Sequence, residues 1–165
     1  MGGVVAQHFA LRHPSRLVRL LLVATGAYTA DPAAALARAD TIARLSWDEL
    51  TVAPIVANFF HKPPTPEVVS KLRRIALMAS PTAAAEAARS NARSHVLDQL
   101  AAITVPTLII QGRHDRARTP GHGAEMQRRI PNARLEIIDD AGHTPQLERP
   151  DVFHDIALPF LLAED

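Results

Sequence analysis

Val4, Val5, His8 and Leu11 recur at helical spacing, with Gln7 and Arg12 off that stripe, and this predicts a helix over residues 3–13. His13-Pro14 ends it, because the residue before a proline is pushed out of the α region. Leu20-Leu21-Leu22-Val23-Ala24 is apolar on both alternating faces, the pattern of a buried parallel strand, and Gly26 closes it. From Ala30 to about Ala102 the pattern turns helical and Ala-rich. Asp31-Pro32, Thr65-Pro66 and Ser80-Pro81 each set a capping side chain before a proline suited to the first helical position. Val68, Leu72, Ile75 and Met78 mark one stripe among them, and the segment reads as three to five helices without strands.

After Ile103 strands return. Val105-Pro106-Thr107-Leu108-Ile109-Ile110 reads as a second buried strand, a helix spans about 120–129, and Arg134 to Asp139 is a third strand. The third alternates more, which places it nearer a sheet edge. A last helix over 150–162 carries Val152, Ile156 and Phe160 on one face, with Pro159 in its path. Strand, helix, strand with right-handed crossovers is the logic of a parallel α/β sheet. The expected division is a core of residues 1–29 and 103–165, interrupted by a helical cap over 30–102.

Composition narrows the function without choosing one. Hydrophobic residues make up 47% and charged residues 21% of the 165, a folded balance with enough chain for a sizeable core. The net charge of +1 and the scatter of Arg along helical stretches read as solvated faces, so no nucleic-acid partner is expected. The absence of Cys excludes disulfides, thiolate metal sites and a cysteine nucleophile. The histidines lack ligand-like spacing, and neither metal nor cofactor is expected. No apolar stretch approaches the ~18 residues that span a bilayer, and no signal-peptide pattern opens the chain, so the expectation is a cytoplasmic protein without membrane contact.

Two residues carry candidate chemistry. Asp115 directly follows the second strand and His143 the third, and functional groups of open α/β sheets gather in such loops. An acid there can orient an imidazole that removes a proton from a nucleophile. Taken singly, an Asp such as Asp115 is more often a turn former or helix cap, and a loop His such as His143 a solvated or hydrogen-bonded bystander. Their surroundings are more specific. Gly112-Arg113-His114-Asp115 followed by Pro120 resembles the acid loop of α/β-hydrolases. Ala141-Gly142-His143, with Glu148 and Pro150, resembles their histidine loop. Met1-Gly2-Gly3 resembles the segment just after the nucleophilic serine in Gly-x-Ser-Met-Gly-Gly, and the order acid then histidine is the family's order.

The resemblance implies a partial α/β-hydrolase fold of about three parallel strands, flanking helices and an inserted helical cap. It implies Asp115 as triad acid, His143 as general base, and Met1 as the position whose backbone N–H meets the oxyanion. Gly2 and Gly3 are expected to let the first helix pack closely under the sheet, and His114 to lie beside the site or in solvent. Trp47, Phe59 and Phe60 are candidates for an apolar substrate pocket, with packing between cap helices as the competing assignment. The implied activity is hydrolysis of a small-molecule ester or lactone through an acyl-enzyme, in the manner of small esterases and enol-lactonases. Because the serine is expected just before Met1, the chain is expected to be inactive alone. It is further expected to expose the edge of its first strand, and so to self-associate or pair with an upstream half-chain. The alternative is a non-catalytic ligand- or partner-binding module in which Asp115 and His143 have no chemical role.

Overall fold

The computed structural model describes residues 1–163. Helix α1, Gly2–Arg12, leads through a short 3-10 turn to strand β1, Leu20–Val23. Four helices follow: α2, Pro32–Arg44; α3, Glu49–Ala57; α4, Pro66–Leu77; and α5, Pro81–Arg93. Strand β2, Thr107–Gly112, then leads to α6, Pro120–Arg129, and strand β3, Ala133–Ile138. A single turn, α7, Pro145–Glu148, and helix α8, Pro150–Leu162, complete the fold. The sheet is parallel, in the order β1-β2-β3.

Local chemistry explains most boundaries. The side chains of Asp31, Thr65 and Ser80 accept the backbone N–H of Ala34, Val68 and Ala83, so each cap-proline pair starts its helix as expected. The start of α3 lacks that signature; Asp48 caps it by accepting from Thr51 N, and Pro54 sits inside it. Pro159 likewise lies within α8 and does not end it. β2 begins after Pro106, which cannot donate to the ladder.

Burial follows the two-residue period of the strands. Leu20, Leu22 and Ile109 face one layer with Ala10, Leu100, Ile103, Met126 and Ile130, beneath α1 and α6. Leu108 and Ile110 face the other, where Ile138, Ala141 and Ala157 join the apolar face of α8. β2, paired on both sides, is buried throughout. β1 departs from its reading as a fully buried strand. Among the described residues it lies at an edge, so Leu21 and Val23 are only partly covered. β3 is the opposite edge, in keeping with its alternation.

The helical segment between β1 and β2 makes two pairs, α2 against α5 and α3 against α4. Val52, Val56 and Phe60 form the apolar centre of the second pair, with Trp47, Val68 and Leu72 packed around it. No helix among the described residues is long and apolar enough to cross a membrane.

Candidate active site

The register of the sheet makes the site. Gly112 at the end of β2 pairs with Ile138 at the end of β3, so the loops leaving those strands emerge side by side. Arg113 N–H donates to Ile138 O and His114 N–H to Ala141 O, each at 2.9 Å, and these bonds hold the two loops together. Asp115 Oδ2 thereby comes within 2.8 Å of His143 Nδ1. The other carboxylate oxygen, Oδ1, accepts the backbone N–H groups of Ala117 and Arg118, both at 2.8 Å. The acid is therefore a turn former as well as the imidazole's partner. Its side chain has no solvent exposure, whereas that of His143 is 26% exposed. The arrangement can hold one imidazole tautomer, with Nδ1–H on the carboxylate and Nε2 left as a base.

The histidine loop is fixed from the other side by Glu148. Its carboxylate accepts from Gly142 N at 2.8 Å, from the hydroxyl of Thr144 at 3.1 Å and from His61 N at 2.6 Å. His143 N–H donates to Phe59 O at 2.8 Å. Residues 59–61 thus form a wall against which the loop is stapled. Gly142 does not use a left-handed backbone; the glycine is needed because a Cβ would lie 2.8 Å from His61 N. The sequence motif holds Glu148, but its bond to His61, 87 positions away, has no sequence signal.

A cleft of about 580 Å3 opens beside the pair, and both Met1 and His143 line it. Met1 is the N-cap of α1, and Gly3 carries that helix against Thr25, where a Cβ would stand 2.4 Å from the hydroxyl. Gly2 meets nothing within 4 Å, so the expected close packing belongs to Gly3 alone. Ala24, also in the cleft wall, has a φ of 48°, a left-handed turn at the end of β1. Gln111 Nε2 secures the next residue by donating to Thr25 O at 2.7 Å.

The aromatic candidates separate. Phe59 lies against the site, its ring centroid 5.4 Å from that of His143. Trp47 and Phe60 belong to the packing between α3 and α4, where the Trp47 indole donates to Ala76 O at 2.9 Å. None of the three lines the cleft that Met1 and His143 share. His114 is exposed and stacks on His61, with ring centroids 3.6 Å apart. A groove of about 610 Å3 along α4, lined by Glu49, Arg73 and Met78, contains no imidazole. Among the described residues, no group of three or more His, Asp or Glu side chains is placed to hold a metal ion.

Arg118 in the cleft wall and His122 on the helix that follows it depart from their ordinary ionisation. Burial lowers the Arg118 guanidinium from its usual range; the charge of Asp115 opposes this and that of Arg38 adds to it. Burial, and then the charge of Arg118, lowers His122.

The sequence and the fold are similar to those of known proteins. The family model described as serine aminopeptidase, S33, matches residues 1–150. A pimeloyl-[acyl-carrier protein] methyl ester esterase of Neisseria meningitidis is 30% identical, over 93% of this chain and 52% of the relative. The 3-oxoadipate enol-lactonase 2 of Acinetobacter baylyi is 27% identical, over 93% of this chain and 58% of its own length. The chain thus spans between half and three-fifths of these curated relatives. Among solved structures, the enol-lactonase from Burkholderia xenovorans superposes with a TM-score of 0.88 at 27% identity, over 99% of this chain and 63% of that one. A hydrolase from Pseudomonas aeruginosa gives 0.89 at 28% identity, over 98% and 62%. With most of its length matched by the family model and its partial sheet shared with these structures, the chain belongs to the S33 serine aminopeptidase family of α/β-hydrolases.

Proposed function

We propose that this chain supplies the acid and the general base of a hydrolase acting on a small ester or lactone through an acyl-enzyme. One observation carries the reading: a fully buried carboxylate, held by two backbone N–H groups, lies 2.8 Å from an imidazole that borders a cleft. In the proposed reaction a serine hydroxyl attacks the carbonyl carbon while His143 Nε2 takes its proton. Asp115 stabilises the imidazolium, and the proton then passes to the leaving oxygen as the acyl-serine forms. Water, deprotonated by the same imidazole, completes the cycle. Met1 is the position whose backbone N–H meets the developing oxyanion. The ester and lactone chemistry of the curated relatives supports this choice of substrate bond.

The second reading is a binding module that uses the same cleft without turnover. One experiment separates them. The chain is combined with a segment that places Gly-x-Ser directly before Met1, and release of p-nitrophenol from a short-chain p-nitrophenyl ester is followed. Turnover above that of either part is expected; tight ligand binding without turnover favours the module.

The edge position of β1 carries a further expectation. Unpaired strand edges recruit other strands, and Val18, just before β1, is exposed. We expect light scattering to find the isolated chain as a dimer or larger species at micromolar concentration. A monodisperse monomer with cooperative melting would refute this.

A further inference from the structure

We propose that the cleft beside His143 seats a carboxylate, so that the preferred ester or lactone carries a free acid group besides the bond that is cleaved. The inference deepens the hydrolase reading and rests on it for the nature of the second group.

Three guanidinium groups line the cleft, Arg38 from α2 and Arg116 and Arg118 from the acid loop, and no carboxylate lines it with them. Elsewhere on the molecule Arg73, Arg89, Arg113, Arg128 and Arg149 pair with Asp or Glu. Among the described residues, no carboxylate stands within ion-pair distance of Arg38, Arg116 or Arg118. The nearest candidate, Asp115, is committed: its two oxygens hold two backbone amides and His143.

Arg118 bears most of the unmet demand. It is half-buried, its only side-chain hydrogen bond among the described residues runs to Ala117 O, and it lies over Gly26. A partly desolvated guanidinium is costly; the nearby charge of Asp115, already bonded to His143 and two amides, offsets part of that cost, and the repulsion from Arg38 adds to it. An anion between the two relieves both. A carboxylate suits this place because its two oxygens match the planar fork of a guanidinium.

The cleft also accounts for the rest of such a substrate. Ala35, Arg38, Ala39 and Ile42 fall at helical spacing and present one face of α2 to the cleft. One cation among three small or aliphatic side chains fits a short hydrocarbon segment ending in an acid. His143 borders the same space, where the reacting carbonyl would lie.

The test is binding to the full chain, which needs no serine and so can fail independently of ester turnover. Monomethyl glutarate and dimethyl glutarate, which differ by one free acid, are titrated calorimetrically at pH 7.5. The half-ester is expected to bind about 10- to 100-fold more tightly, the range for a hydrogen bond to a charged group. Arg118→Gln combined with Arg38→Gln is expected to bring the two affinities together, while Arg74→Gln on the exposed side of α4 leaves the ratio unchanged. Relief of the buried charge means that Arg118→Gln melts no earlier than the parent, which separates lost binding from lost folding. Equal affinity for the two esters, a preference that survives the double substitution, or no binding of either compound overturns the proposal.

Discussion

Asp115→Asn is expected to lower kcat of the serine-complemented chain about 10^4-fold while leaving the fold in place. Asparagine keeps the oxygen that accepts from Ala117 and Arg118, so the turn survives. It replaces the oxygen facing His143 Nδ1 with an amide that only donates. The imidazole must then accept at Nδ1 and carry its proton on Nε2, the nitrogen that should take the serine proton. His143→Ala removes the base itself and is expected to cost a similar factor. The two losses should not multiply, because the pair acts as a unit. Ester turnover and thermal melting of both single variants and the double variant check this. An Asp115→Asn variant with parental kcat would show that the 2.8 Å contact is structural only.

Gly112→Ala is expected to cost about 3 kcal/mol of stability, the upper end for overpacking a tight site. A Cβ at residue 112 would lie 2.0 Å from the carbonyl oxygen of Gly142 and 2.5 Å from that of Ala141. Both contacts are with backbone, so no side chain can swing aside. One loop must retreat, and with it go the bonds from Arg113 N to Ile138 O and from His114 N to Ala141 O. For a chain of this size the melting midpoint should fall by roughly 6–12 °C. Calorimetric melting measures it, and a midpoint within a degree of the parent would show that the loops separate without cost. Hydrolysis should fall as well, since retreat of either loop parts Asp115 from His143.

Much of this was legible before any coordinates. The caps at Asp31, Thr65 and Ser80 are bonds between residues three apart, so the residues that make them stand together in the chain. Strand periodicity likewise reflects immediate neighbours, and β2 and β3 were displaced from their expected bounds by only one or two residues. The acid and histidine loops were legible because each carries a short motif of its own. The arginines were not. Read along the chain, Arg38, Arg116 and Arg118 are scattered charges of the kind that usually decorate solvated faces. Only the fold sets α2 beside the acid loop and leaves these three in one cleft. Trp47 and Phe60 show the reverse: aromatic residues that could have lined a pocket are used to join α3 and α4.

The chain by itself determined where the helices with a cap-proline pair begin, where the strands lie to within two residues, and which two polar residues stand at strand ends, because those properties depend on covalent neighbours. The tertiary structure decided the partners of Asp115, Glu148 and Arg118. The partners of Asp115 and Glu148 lie 28 and 87 residues away, and Arg118 shares its cleft with Arg38 of a distant helix. Parallel pairing sets the distances between such groups, and that pairing is settled by burial of the whole sheet rather than by any one segment.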